Sequence, residues 1–254
     1  MRSAIIVAHP GHELRVHNWM ERNRPLYCCL TEGSGGIASP RLNSTLRLLD
    51  SVGAAAGPIV GRYSDREMYR RLLSGDVALF AQLTVELAET LMAAGVTVVA
   101  GDAVEGFNPV HDVCRFVIDG AVAIVRTRTG QSPQNYEFVL DDSPDTCPES
   151  LREEAVRVCL DEAALERKIA AALEYPELRD EVRGALDRFG RSAFAVECLR
   201  PSTTRLMIEH FEREPPAYER YGQMRVNEGR YTEIIRYRQH VLPVLAAIER
   251  ANRG

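Results

Sequence analysis

The chain has 254 residues, 26% of them charged and 45% hydrophobic, with a formal net charge of −5. That length builds one large or two small domains around a substantial core, and charges of both signs, interspersed, exclude the concentrated basic face of a nucleic-acid groove. Cys28, Cys29, Cys114, Cys147, Cys159 and Cys198 show no C-x-x-C spacing, and neither a leader segment nor an apolar stretch of membrane length is read, so the expectation is a reduced, cytoplasmic protein with no membrane partner.

The first element is the apolar, β-branched run Ala4–Ala8, a buried strand that stops abruptly in His9-Pro10-Gly11-His12-Glu13. From Arg2 to about Thr127, short apolar runs alternate with longer amphipathic ones. Strands are expected at Ala4–Ala8, Leu26–Thr31, Ile59–Arg62 and Val96–Ala100, and helices at Arg41–Ser51, Val77–Ala93 and Val113–Val125. This alternation predicts an α/β fold with a mostly parallel, doubly wound sheet, whose ligands bind beyond the carboxyl ends of the strands. Glu32-Gly33-Ser34-Gly35-Gly36 and then Ser39-Pro40-Arg41 follow the second strand on that edge. Their glycine-rich backbone amides either bind an anion or simply make a turn. Arg15, Glu32 and Arg41 are candidate substrate contacts by the same position.

Arg128–Ser150 is rich in Gly, Pro and Asp around one strand-like run, Tyr136–Leu140, and should end the sheet. The division expected is 1–145 as an α/β domain carrying the site and 146–254 as a mainly helical region packed on it. Helical spacing covers Leu151–Leu173, Glu177–Phe189 with Pro176 as a first helical residue, and Tyr231–Ala251 with a kink at Pro243. The irregular stretch 216–231 combines aromatics with arginine. It reads either as a wall of the substrate site, through Tyr218 and Arg225, or as a surface connection.

After the fourth strand comes a second polar cluster, Gly101-Asp102-Ala103-Val104-Glu105-Gly106-Phe107-Asn108-Pro109-Val110-His111-Asp112. It brings His111 to the edge that holds His9 and His12. Three imidazoles with an open fourth position are how a catalytic zinc is held, although each cluster alone would also serve as a polar loop opening a helix. Glu13, Asp102, Glu105 and Asp112 are the carboxylates at hand to orient the rings.

Ala8-His9-Pro10-Gly11-His12-Glu13 resembles the A-H-P-D-D-E signature of the PIG-L or LmbE-like zinc-dependent N-deacetylases, and Asn108-Pro109-Val110-His111 resembles their H-P-D-H signature. The resemblance implies a Rossmann-like sheet, zinc on His9, His12 and His111, and removal of an acyl group from a small polar substrate of the amino-sugar or antibiotic-pathway kind. It also exposes departures. Gly11 stands at the position of the family's general base, Asn108 at that of its acid histidine, Val110 at that of the orienting aspartate, and His12 replaces a ligating aspartate. Glu13 or Asp102 is then expected to move the proton, Asn108 to bind the oxyanion, and Glu105 to contact substrate. The alternatives are the same fold turned to other chemistry, with iron or cobalt on the imidazoles, or a binding protein that has lost catalysis. A homo-oligomer is compatible with either.

Overall fold

The computed structural model describes residues 2–35 and 40–252. Gly36 and Ser39, part of the glycine-rich stretch read above as an anion-binding loop or a plain turn, lie outside them. Seven strands form one sheet in the order β3-β2-β1-β4-β5-β7-β6. The strands are β1 Ser3–Val7, β2 Leu26–Thr31, β3 Ala55–Tyr63, β4 Val98–Asp102, β5 Gln134–Phe138, β6 Val156–Cys159 and β7 Val196–Pro201. Strands β1 to β5 pair in parallel, whereas β7 runs antiparallel to both β5 and β6. The expected α/β class with a mostly parallel sheet is what the chain adopts.

Period-2 alternation sorts β1 between the two faces. Ala4, Ile6 and Ala8 enter one core layer with α4 (Val77–Ala94), α5 (Pro109–Thr129) and α10 (Leu242–Ala251). Ile5 and Val7 enter the other with α1 (His17–Asn23), α2 (Leu42–Val52) and α6 (Glu162–Leu173). Both layers are apolar, which is why β1 reads as an unbroken hydrophobic run rather than an alternating one. At Gly101 in β4 a Cβ would lie 2.3 Å from the Ile6 carbonyl oxygen and 2.6 Å from Ile118 Cδ1, so only glycine lets α5 settle onto the β1–β4 pair.

Several expectations are corrected. The helix expected over 151–173 is β6 followed by α6, and β7 was not foreseen, so the second half of the chain adds an antiparallel ribbon to the same sheet. Helix α7 (Arg179–Phe189) has Pro176 in the turn before it rather than as its first residue. The helical stretch expected over 231–251 begins at Tyr237 and is interrupted next to Pro243, where a π-helical turn at Tyr237–Val241 gives way to α10. Pro243 sits in the first turn of α10, where its missing N–H costs nothing. Helices α3 (Asp65–Leu73) and α8 (Thr204–Arg213) were missed, and α9 (Ala217–Asn227) occupies most of the stretch read as irregular, 216–231. Helix α4, at 18 residues, is by length and composition able to cross a membrane, contrary to expectation; here one of its faces, with Phe80, Leu83, Leu87 and Leu91, is buried in the core.

The added ribbon is locked to the front of the molecule by a buried ion pair. Glu197 of β7 is fully buried, lies 3.0 Å from Lys168 Nζ of α6, and accepts the backbone N–H groups of Asn18 and Trp19 at 2.8 and 2.7 Å. Lys168 also donates to the Arg15 carbonyl at 2.7 Å. The carboxylate thus caps the first turn of α1 while neutralising a lysine that has no water. Glu197→Ala leaves that ammonium buried and unpaired. A loss of about 3–5 kcal/mol is expected, read as a lower urea midpoint with an unchanged slope.

Candidate functional site

The strand order reverses between β1 and β4, and the crevice beyond their carboxyl ends is where the polar clusters meet. His9 follows β1, His12 opens a 3-10 turn (His12–Val16), and His111 lies in the first turn of α5. The rings converge. His9 and His12 have centroids 5.3 Å apart, His9 and His111 5.0 Å, and His12 and His111 4.5 Å, all edge-to-face.

Each of the first two rings is held from behind by a carboxylate. His9 Nδ1 lies 2.9 Å from Asp65 Oδ1 and 2.8 Å from Thr31 Oγ1, and His12 Nδ1 lies 2.9 Å from Asp102 Oδ2. A carboxylate only accepts here, so Nδ1 carries the proton and Nε2 keeps its lone pair. His9 Nε2 is buried and has no hydrogen-bond partner. Burial lowers the pKa of both His12 and His111 well below the usual imidazole range, with neighbouring histidines adding to the shift, so both rings stay neutral. Asp65 is held below the usual carboxylate range although burial opposes it, because its oxygens accept hydrogen bonds, that of His9 foremost, with the Gly35 N–H beside it.

The arrangement suits a borderline-soft divalent cation. Three imidazoles sharing one tetrahedral zinc, with Zn–N near 2 Å, set their ring centres about 5 Å apart, and an unpartnered buried Nε2 is otherwise costly. Among the described residues no group of three His, Cys, Asp or Glu side chains stands placed to hold a metal ion as it is, so the fit rests on ring spacing and on the carboxylates behind the rings.

The other expected site residues are placed as follows. Asp102 is fully buried and accepts both His12 Nδ1–H and the Ala8 N–H at 2.8 Å; burial raises its pKa to about 7. Glu13 is also fully buried. It accepts the Gly11 N–H at 2.8 Å and the Thr45 hydroxyl at 2.7 Å, so it ties the histidine loop to α2. Asn108 caps α5, its Oδ1 accepting from Val110 N–H at 2.9 Å and from the Tyr69 hydroxyl at 3.1 Å. Glu105 accepts the Leu140 and Asp141 N–H groups at 2.7 and 3.1 Å, and Glu32 accepts the Ser34 hydroxyl. Tyr218 is buried and moors α9 through its N–H to the Gly106 carbonyl at 3.0 Å, while Arg225 stacks over Tyr221 and pairs with Glu228.

A cavity of about 440 Å³ opens on the histidines. Its wall includes His12, His111, Gly11, Arg15 and Arg41, and then apolar side chains of α6, α7 and the turn between them. Glu13, Asp102, Asn108, Glu105, Glu32, Tyr218 and Arg225 are not part of that wall. The acidic side chains that are, Asp141 and Glu181, come from the second half of the chain, where no motif pointed to them.

The backbone and the neighbours at position 11 leave no room for a side chain there. The φ of +102° at Gly11 favours glycine, and a Cβ there would lie 2.2 Å from Leu178 Cδ1 and 3.6 Å from Tyr175 Cζ. The turn before α7 fills the space. Asp65, by contrast, was missed although the Ser64-Asp65-Arg66-Glu67 capping signature announces α3, with Ser64 Oγ accepting from Glu67 N–H at 3.1 Å. Asp65→Asn removes the anionic acceptor from His9 and is expected to weaken zinc binding about 10–100-fold in a competitive chelator titration. Unchanged affinity would remove Asp65 from any role at the rings.

No protein-family model matches the chain, and no curated protein matches it either. Solved structures do. It superposes on a triple mutant of a deacetylase of the teicoplanin biosynthetic pathway with a TM-score of 0.57 at 14% identity, over 79% of this chain and 97% of that one. The zinc-inhibited form of teicoplanin deacetylase gives 0.55 at 12% identity, and a deacetylase–teicoplanin complex 0.53 at 14%, each again over 79% of this chain. The chain has the fold of these deacetylases.

Proposed function

We propose that the protein is a metal-dependent hydrolase of the PIG-L or LmbE-like kind that cleaves an N-acyl bond of a small molecule, with zinc on His9, His12 and His111. The observation that carries this reading is the convergence of three imidazoles, two of them backed by carboxylates, at the strand-order switch of the sheet. The fold it shares with antibiotic-pathway deacetylases supports an amide substrate. Bound there, zinc would supply a Lewis acid and make a water molecule far more acidic.

The chain's own residues supply the remainder. Asp65 and Asp102 keep the two rings in the Nδ1–H tautomer. Of the carboxylates in the cavity wall, Asp141 lies 3.9 Å from Arg188, whereas Glu181 has no ion-pair partner among the described residues. Glu181 is therefore the carboxylate open to accept a proton from water, the role vacated at Gly11. Arg15 and Arg41, lining the same cavity, set a positive potential that favours the developing negative charge on the acyl oxygen. A second reading, a metal-binding protein without turnover, is favoured by one observation only, the filling of the Gly11 side-chain space by Leu178.

Zinc content and release of acid from a panel of N-acylated amino sugars test the first reading. His111→Ala should abolish stoichiometric zinc and hydrolysis together. Glu181→Gln should keep its zinc and lose about 100-fold or more in kcat. Full zinc with no hydrolysis of any member in the wild type would select the second reading. A Glu181→Gln enzyme as fast as wild type would exclude the glutamate as base.

A further inference from the structure

Beneath the loop that leads into His111, three polar atoms are buried without a hydrogen-bond partner: Asp112 Oδ2, the Tyr218 hydroxyl and the Tyr237 hydroxyl. They come from three segments, α5, α9 and the π-helical turn at Tyr237–Val241, and their residues are 0, 5 and 1% exposed. The charge of Asp112 acts on both tyrosine hydroxyls, and Tyr237 acts on Tyr218, so the three form one cluster. Each is anchored by a contact of its own. Asp112 Oδ1 accepts the N–H groups of Glu105 and Gly106 at 3.1 and 3.2 Å, and the N–H of Tyr218 donates to the Gly106 carbonyl at 3.0 Å. The Tyr237 ring packs edge-on against Phe211, with centroids 5.3 Å apart. Bare oxygens in a dry interior are costly, so the cluster is suited to a small species that touches all three.

Charge decides what that species is. Asp112 forms no ion pair among the described residues, and the neighbouring charge that acts on it is another carboxylate, Glu105. The other acids nearby are already answered. Glu105 accepts the Leu140 and Asp141 N–H groups and is faced by Arg15, Glu219 accepts the Tyr237 N–H at 2.7 Å and lies 3.7 Å from Arg236, and Glu212 is exposed to water. A water molecule would bridge the three oxygens yet leave the Asp112 charge uncompensated, whereas a cation meets both needs. One carboxylate and two neutral hydroxyls carry too little charge for calcium, and a buried trio does not offer the water shell that magnesium keeps. We propose that Asp112 Oδ2 and the hydroxyls of Tyr218 and Tyr237 bind a monovalent cation, sodium or potassium. Through Asp112 Oδ1 it steadies the turn at Glu105 and Gly106, and with it the start of α5.

Thermal melting in different salts tests this without turnover. The full chain, at fixed zinc content and one ionic strength, is melted in sodium chloride, potassium chloride and tetramethylammonium chloride, whose cation is too large for a closed site. With the smaller cation that fits, the Tm should rise hyperbolically, by about 3–5 °C at tenfold the dissociation constant, above a flat tetramethylammonium baseline. The sodium and potassium arms show which ion the cluster prefers. Asp112→Asn, which keeps an oxygen for the two backbone N–H groups, should abolish the difference between salts. Tyr237→Phe should raise the midpoint concentration about tenfold, yet melt like the wild type in tetramethylammonium chloride, because its hydroxyl has no other partner. Crystals soaked in rubidium chloride should show an anomalous peak in contact with all three oxygens. Identical melting in the three salts, a salt preference that survives in Asp112→Asn, or rubidium-soaked crystals with only water at the cluster overturns the proposal. None of these readouts depends on hydrolysis, so failure of the amide-cleaving reading and failure of the cation site are seen separately.

Discussion

The carboxylate of Asp102 is the contact on which the site depends. It ends β4, accepts the N–H of Ala8 just past the neighbouring β1, and accepts Nδ1–H of His12, all from a fully buried position. One side chain thereby pins two parallel strands at their carboxyl ends and fixes a ring's tautomer and direction. Both bonds fall on Oδ2, while Oδ1 is buried without a hydrogen-bond partner, and that cost is what raises the pKa of the carboxyl to about 7. Asp65 does the same for His9 from the start of α3, and there the Gly35 N–H, 2.6 Å from its second oxygen, adds the loop after β2.

The second half of the chain completes what the first half begins. Tyr175 donates to Thr45, which lies against Glu13, so the turn before α7 is hydrogen-bonded into the base of the histidine loop. Lys168 and Glu197 fasten α6 and β7 to the same loop from the side. The cavity wall facing the histidines is accordingly built from helices far along the chain from either motif, and its apolar character belongs to α6 and α7 rather than to the two motifs.

What could be read in the sequence follows from what produces a local signal. The runs at β1 and β2 are apolar on both faces and bounded by Pro or Gly, so their positions were legible to within a residue or so, as was the meeting of His9, His12 and His111 on one edge. Strand β7 was not, because Glu197 and Arg200 are buried in it against Lys168 and Glu137, and buried charges disguise a core strand as a surface one. Strand β6, with four residues, is too short for periodicity, and α3 has few apolar positions among its charges. The roles of Glu13 and Asp102 turned on direction. Spacing brings a carboxylate near a metal centre, but only tertiary contacts decide whether it faces the open side or the protein behind it.

The contact of Gly11 with Leu178 links two positions that the primary chain keeps far apart. An aspartate introduced at 11 would collide with the leucine, and a smaller residue introduced at 178 would leave a void beneath the glycine. Neither exchange is neutral without the other. Any path from glycine to a larger residue at 11 must therefore cross a sequence valley or change both residues in step, and that epistasis is a physical reason for the glycine to persist.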